Sequence, residues 1–261
     1  MTNLAVSADG TLIAYETHGA GTPALVFVHG WSCDRSYWVG QMQPFARRFK
    51  VVAVDLAGHG DSGLGRNTWT IQAFGSDVAA VVTMMGLQRV ILIGHSMGGD
   101  VIVEAARRLQ GRILGLVWLD TYAKLGAPRT PDQLQALLAP FHSHFVDAAQ
   151  AFVRGMFAPT SDPSLVDRVA ADMSSAPSEV AVGALAHAMS FDREIPAALR
   201  QLKLPVVAIN ADNRPTDAPS LNRHSVNVLV MSGVGHFLMM DDPERFNGLL
   251  STAVNQIIEA Q

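Results

Sequence analysis

Ser96 is the residue of this chain whose neighbours most clearly predict chemistry. It is the central residue of GHSMG, a G-x-S-x-G pattern at residues 94–98 that follows an apolar run and precedes an amphipathic stretch. A serine on so sharp a turn from strand to helix needs small neighbours such as Gly94 and Gly98, because larger side chains would collide there. The turn would place the Ser96 hydroxyl at a helix N-terminus, where developing negative charge is favoured. The pattern therefore predicts a nucleophilic serine.

His236 is the best candidate for a general base among the nine histidines of the chain. It stands in the segment GVGHF at residues 233–237, after the last predicted strand. Flanking glycines allow a loop histidine to approach a serine on a remote strand, and imidazole titrates near neutral pH, as a base must. The alternative is a turn histidine without a role.

A second strand end, VFVHGWS at residues 26–32, predicts part of an oxyanion hole. A loop at this place can offer the backbone N–H of Trp31, and the turn after Ser96 can offer that of Met97, to the same negatively charged oxygen. We expect the Trp31 ring to line the pocket, and we expect His29 to be a hydrogen-bonded structural residue.

Composition limits the class of protein to which these residues belong. The 261 residues are 49% apolar and 16% charged, with a formal net charge of −4 and no cluster of Lys and Arg. We therefore expect a core of one large domain, no nucleic-acid partner, and no membrane span, because no window has about 18 uninterrupted apolar residues. The first ten residues lack a secretory signal, and Cys33 is the single cysteine, so we expect a cytoplasmic protein without disulfides.

The elements that must position these residues alternate between strand and helix, which predicts an α/β fold with a mostly parallel, doubly wound sheet. Between them, residues 121–195 lose the β-branched runs and show helical spacings broken by prolines. We expect residues 1–120 and 196–261 to form the core, and residues 121–195, called the insertion below, to form a helical cap. Apolar, β-branched runs predict strands at residues 12–17, 24–29, 50–55, 89–94, 113–120, 205–210 and 226–231.

The order of these segments resembles the α/β-hydrolase superfamily. A strand followed by HG, then DLAGHGDS at residues 55–62, GHSMGG at 94–99 and the late GVGHF occur in the order typical of that family. The resemblance covers residues 24–99 and 205–261. It implies Ser96 as the nucleophile, His236 as the base and the insertion as a lid over the site. No metal or organic cofactor is implied, and the pair His142 and His144 is expected to be a surface feature.

The third member of such a triad, a carboxylate that holds the histidine in one tautomer, is less clearly marked. In the family it follows the strand before the histidine, often as G-x-x-D, but the third residue after Ala211 is Arg214. A loop shortened by two residues would put Asp212 in that place, which makes it our first choice. Asp120, at the end of the preceding strand, is the alternative location, and Asp217 is the third option.

These residues predict a carboxylesterase-like serine hydrolase that acts on esters of small apolar acyl groups. A C–C bond hydrolase or a perhydrolase would use the same serine, so the sequence leaves both open. A ligand-binding or signalling protein on a hydrolase scaffold is the alternative from another class. We expect a small-molecule substrate as the partner, and the sequence leaves homo-oligomer formation undecided.

Overall fold

A single sheet organises the protein, whose computed structural model describes residues 2–126 and 128–261. The sheet has eight strands in this part of the chain: β1 (Asn3–Val6), β2 (Leu12–His18), β3 (Ala24–Val28), β4 (Lys50–Val54), β5 (Val90–His95), β6 (Ile113–Leu119), β7 (Val206–Ala211) and β8 (Val226–Met231). Their order in the sheet is β1-β2-β4-β3-β5-β6-β7-β8. β1 pairs antiparallel with β2, and β2 with β4, whereas all pairs from β4 to β8 are parallel.

The central strands are apolar runs without alternation, and this explains their position. Every residue of β3, β5, β6 and β7 is buried. Strands that are buried on both faces belong to parallel sheets covered by helices on each side. The predicted fold class, a mostly parallel α/β sheet, is therefore confirmed.

Helices connect and cover the strands. They are α1 (Val39–Ala46), α2 (Ile71–Met84), α3 (Met97–Arg108), α4 (Pro131–Ser143), α5 (Phe145–Arg154), α6 (Pro163–Ser174), α7 (Ser178–Phe191), α8 (Ile195–Leu202), α9 (Ala218–Asn222), α10 (Leu238–Asp241) and α11 (Pro243–Glu259). Several begin where the sequence supplies a proline in the first turn after a capping side chain, as at Thr130 before α4 and Asp162 before α6.

The described residues of the insertion contain helices α4 to α7 and no strand. α7 packs against α2 and α3 of the sheet's helical layer, and α4 packs against α7. Trp31 extends from the loop after β3 into this layer, where its indole N–H donates to the carbonyl of Ala181 in α7 at 2.7 Å. The insertion is thus bonded to the loop that precedes α1. That it acts as a separate cap remains a prediction.

The strand β1 has no counterpart among the seven predicted strands. It is only four residues long and lies at the edge of the sheet, where Leu4 and Val6 are exposed. An edge strand buries one side at most, so its sequence lacks the continuous apolar run that marks β3 or β5. No helix in the described residues is long and apolar enough to cross a membrane.

The parallel strands bring the predicted site residues together at their carboxyl ends. Ser96 directly follows β5, Asp120 directly follows β6, and His236 lies in the loop after β8. The carboxyl ends of parallel strands point to the same edge, where open α/β sheets bind ligands.

Candidate active site

The turn at Ser96 is strained in the way that its glycines predict. Ser96 has φ of 52° and ψ of −120°, a backbone conformation that non-glycine residues rarely adopt, and it immediately precedes α3. A Cβ added at Gly94 would lie 2.2 Å from the carbonyl oxygen of Gly98, and one added at Gly98 would lie 2.5 Å from that of His29. Only glycine fits at both places, so the turn is compressed between β3 and β5 and presents the serine at the sheet edge.

His236 is paired with Asp120. Its Nδ1 donates to Asp120 Oδ2 at 2.5 Å, and both side chains are buried, with 9% and 4% of their surface exposed. Asp120 Oδ1 accepts the backbone N–H of Ala211 at 3.1 Å, and Oδ2 also accepts from Arg214 at 3.0 Å. A carboxylate bonded to Nδ1 leaves Nε2 as the nitrogen that can take a proton.

The other two candidate carboxylates have different partners. Asp212, the first choice from the sequence, is exposed, and its Oδ1 accepts the backbone N–H of Gly233 at 2.8 Å. Asp217 caps α9 by accepting the N–H of Ser220 at 2.9 Å. The turn after β7 therefore directs both side chains toward backbone N–H groups, and the geometry replaces Asp212 by Asp120 as the candidate acid.

The surroundings of Asp120 keep it ionised. Burial by itself raises the pKa of this carboxyl, but the hydrogen bond and charge of His236, the guanidinium of Arg214 and the N–H of Ala211 outweigh burial and lower the pKa below its ordinary value. The backbone at Asp120 has φ of 46°, another strained conformation at this edge. A carboxylate that stays charged at neutral pH is what an imidazolium partner requires.

His95 positions His236 through the backbone, a role that sequence reasoning did not assign. Its Nε2 donates to the carbonyl oxygen of His236 at 3.0 Å, and the two rings are 4.7 Å apart between centroids. Burial, and then the neighbouring charge of His236, lower the pKa of His95 to about 3, so its ring is neutral. The N–H of His236 donates to the carbonyl of Met156 at 2.9 Å. The one sequence signal for His95 was its place in the G-x-S-x-G pattern, as the variable residue directly before Ser96.

The two predicted oxyanion donors are the residue after Ser96 and the residue after Gly30, where an added Cβ would lie 3.3 Å from Ser96 Cβ. Met97 is the first residue of α3, and Trp31 lies two residues after His29. Neither backbone N–H has a hydrogen-bond acceptor in the described part of the chain. The Trp31 ring is buried and packs edge-on against Phe141 and Phe152, with centroids 5.7 and 5.9 Å away. That these two N–H groups form an oxyanion hole remains a prediction.

His29 has the structural role that the sequence favours. Its Nδ1 donates to the carbonyl of Gly30 at 2.8 Å, and its Nε2 accepts the N–H of Leu56 at 3.0 Å. Both nitrogens are satisfied only in the neutral form, and burial lowers the pKa of this ring to about 4. The segment DLAGHGDS at residues 55–62 is also structural, because Asp55 accepts backbone N–H groups of Arg35 and Asp61.

A largely apolar cavity lies in front of Ser96. It encloses about 310 Å³ of empty space, part of which is open to solvent. Its lining consists of Trp31, Cys33, His95, Ser96, Phe152, Met156, Met173, Leu185, Met189, His236 and Phe237. Five of these residues belong to the insertion.

The described lining of this cavity carries no carboxylate and no Lys or Arg. Its two histidines are the neutral His95 and the predicted base His236. Burial, and then the nearby charge of Asp172, raise the pKa of the Cys33 thiol well above its ordinary value, so Cys33 is protonated and unsuited to attack. Nothing in this lining would neutralise a charged group on a ligand.

Comparison with known proteins gives one family model and several relatives. The model described as the alpha/beta hydrolase family matches residues 25–249. A non-heme haloperoxidase of Rhodococcus erythropolis is 36% identical over 109 residues, which are 41% of this chain and 39% of that protein. The 3-oxoadipate enol-lactonase 2 of Acinetobacter baylyi is 24% identical over 251 residues, covering 93% of this chain and 92% of the relative.

A solved structure, that of a thermophilic esterase from Thermogutta terrifontis, superposes with a TM-score of 0.84 over 98% of this chain and 99% of that one. At 22% identity this likeness concerns the fold. The chain spans about a third of the length of several curated relatives that it matches.

Proposed function

This chain belongs to the alpha/beta hydrolase family, and from that premise we propose that it is a serine esterase for small substrates with an uncharged, apolar acyl group. The observation that carries the proposal is the pairing of His236 with a buried, ionised Asp120 at the cavity that Ser96 borders. The family and the fold of its neighbours support hydrolysis as the reaction class, whereas the residues of the site support the mechanism.

In the first half of the reaction, the Ser96 hydroxyl oxygen attacks the ester carbonyl carbon while His236 Nε2 removes the hydroxyl proton. Asp120 holds the ring with Nδ1 protonated and stabilises the imidazolium that forms. The carbonyl oxygen gains the negative charge, which the N–H groups of Trp31 and Met97 stabilise. The tetrahedral intermediate then expels the alcohol, which takes its proton from Nε2, and leaves an acyl group on Ser96.

In the second half, water attacks the acyl carbon and His236 again accepts a proton. The second tetrahedral intermediate uses the same two N–H donors, because its oxygen occupies the same place. Its collapse breaks the bond to Ser96, returns the proton to the serine oxygen and releases the carboxylic acid.

A lactone is the second candidate substrate class, because the enol-lactonase match spans nearly the whole of both chains. A lactone is an internal ester, so the same steps apply and the alcohol stays attached to the acid product. Perhydrolysis is less well supported. Met156, Met173, Met189 and Cys33 border the cavity, and a peracid released there would oxidise these sulfur atoms.

A panel of substrates tests the proposal. We expect steady turnover of p-nitrophenyl acetate and butyrate and of simple lactones, with no turnover by a Ser96→Ala variant. Raised thermal stability in the presence of an ester without any product would instead favour the ligand-binding alternative. Peracid formation from acetate and hydrogen peroxide, faster than ester hydrolysis, would favour the perhydrolase.

Replacement of each candidate acid by asparagine tests the role of Asp120. Asp120→Asn is expected to lower kcat by about 10⁴-fold, because an amide no longer fixes the tautomer of His236 nor stabilises its imidazolium. Asp212→Asn is the matched control, since Asp212 is also an aspartate that directly follows a parallel strand, but its side chain accepts the N–H of Gly233. Its kcat is expected to stay within about threefold of the wild-type value.

Steady-state kinetics on one good ester decide between the two carboxylates. The reverse ranking of the two variants would restore Asp212 as the acid. If both single variants keep near-wild-type rates and the double variant is also active, neither aspartate orients the histidine, and the proposed mechanism fails.

We also propose that the insertion is a lid that limits the length of the acyl chain, since α7 supplies Leu185 and Met189 to the cavity wall. Met189→Trp is expected to lower kcat/KM for hexanoate relative to acetate by about tenfold. The reason is that each methylene group that no longer fits the pocket lowers kcat/KM by a large part of that factor. Met84→Trp is the control, because Met84 is exposed on α2 and away from this lining. An unchanged chain-length preference in Met189→Trp would place the acyl group elsewhere.

A further inference from the structure

Arg214 contacts the candidate acid and is not used by the mechanism above. Its guanidinium donates to Asp120 Oδ2 at 3.0 Å, and this oxygen also accepts from His236 Nδ1. The Arg214 side chain is 56% exposed, whereas that of Asp120 is 4% exposed. A surface cation therefore reaches inward to the same carboxylate oxygen that bonds the histidine.

Arg214 occupies the position in the chain at which a carboxylate was expected. It is the third residue after Ala211, the position at which the family resemblance led us to expect a carboxylate. In this chain the carboxylate follows β6 instead, and its two other hydrogen-bond donors are the N–H of Ala211, the last residue of β7, and the guanidinium of Arg214 in the loop after β7.

This loop is itself restrained. Asn210 at the end of β7 donates to the carbonyl of Tyr122 at 2.9 Å and to Thr216 Oγ1 at 3.1 Å, so both ends of the short segment that carries Arg214 are bonded. Asn213 donates to the carbonyl of Met156, which also accepts the N–H of His236. The loop thus contacts both the acid and the base.

We propose that Arg214 is a positioning residue that holds the Asp120 carboxylate in the orientation His236 requires and limits how readily His236 becomes an imidazolium. Two hydrogen bonds, one from the end of β7 and one from the loop after it, fix the rotation of the carboxylate, because each of its oxygens then has a donor. The positive charge of the Arg214 guanidinium, which bonds Oδ2, also offsets part of the negative charge of Asp120 that would stabilise a protonated His236 ring.

Among the described residues, several charged and titratable groups lie near His236: Cys33 lines the same cavity, and Asp241 Oδ2 accepts the N–H of Gly235 at 2.8 Å. Asp120 follows β6, Arg214 lies after β7, and His95 ends β5 with a neutral ring. Arg214 and His236 bond one oxygen, so their nearest nitrogens are within about 6 Å, and removal of the cation is expected to favour the imidazolium. The acid limb of the rate profile should then move to higher pH.

This inference rests on the proposed function, and three variants test it. Arg214→Gln is expected to lower kcat two- to fivefold, as for a partly exposed ion pair, and to move the acid limb of kcat/KM up by about half a pH unit. Arg214→Lys keeps the charge and is expected to return the limb toward its wild-type position. Arg154→Gln is the control, since Arg154 forms an ion pair with Asp167 at 2.6 Å, is 47% exposed and does not line the cavity.

Two further readouts separate this inference from the proposed function. The first is the rate at which a fluorophosphonate labels Ser96, which needs the activated serine but no ester substrate. The second is the low-field proton resonance of His236 Nδ1, assigned by its loss in Asp120→Asn, which needs no activity at all. Arg214→Gln is expected to slow the labelling and to speed exchange of the Nδ1 proton with water.

The outcomes are distinguishable. If Arg214→Gln matches Arg154→Gln in kcat, pH profile and proton exchange, the inference is wrong while the esterase proposal stands. If Arg214→Lys shifts the acid limb as far as Arg214→Gln does, the charge of Arg214 has no part in it, which also overturns the inference. If wild-type protein neither turns over esters nor is labelled, the proposed function fails, and the proton resonance still decides whether Arg214 positions the pair.

Discussion

Ser96→Ala is expected to abolish ester turnover, with kcat falling by about 10⁶-fold, the loss measured when the nucleophile of a comparable triad is removed. The physical reason is that no other hydroxyl occupies the strained turn between β5 and α3, so no acyl-enzyme can form. Initial rates on p-nitrophenyl butyrate, together with mass spectrometry of the acylated wild-type protein, measure the effect.

Ser32→Ala is the matched control. Ser32 shares the φ of 52° with Ser96 but is buried; it lies in the loop after β3 and does not line the cavity. Its kcat is expected to stay within about threefold of the wild-type value, because loss of a buried hydroxyl affects stability more than the reaction. A Ser96→Ala protein that keeps its thermal midpoint and retains substantial activity would remove Ser96 from the role of nucleophile.

His236→Ala is expected to reduce kcat nearly as much as Ser96→Ala, because without a base the serine oxygen keeps its proton when it attacks. The effects are expected not to add: in the Ser96→Ala background, His236→Ala should cost little more, since the two residues act as one unit. Single and double variants on one ester, measured across pH, test both statements.

His224→Ala serves as the control for histidine loss. His224 is partly exposed and lies just before β8, at the amino end of that strand, whereas Ser96 lies at the carboxyl end of β5. We expect it to keep the wild-type kcat. Multiplicative losses in the Ser96 and His236 double variant would mean that the two side chains act independently, and the triad mechanism would then be wrong.

Several features of this protein follow from the sequence alone, because local residue chemistry determines them. The unbroken apolar runs of β3, β5 and β6 are buried on both faces wherever they pair, so they predict a parallel sheet covered by helices. The glycines around Ser96 leave space for its turn, and those before His236 do so for its loop. The candidate nucleophile, the candidate base and the fold were therefore predictable from short segments.

The tertiary structure decided the features that depend on how distant segments meet. Asp120 and Asp212 each directly follow a parallel strand, at its carboxyl end. The sequence does not reveal which way either carboxylate turns. Pairing of β6 with β7 brings the N–H of Ala211 and the side chain of Arg214 to Asp120, while Asp212 turns to the N–H of Gly233. A side chain's direction at a strand end is set by the donors around it, and those of Asp120 lie 91 and 94 residues away along the chain.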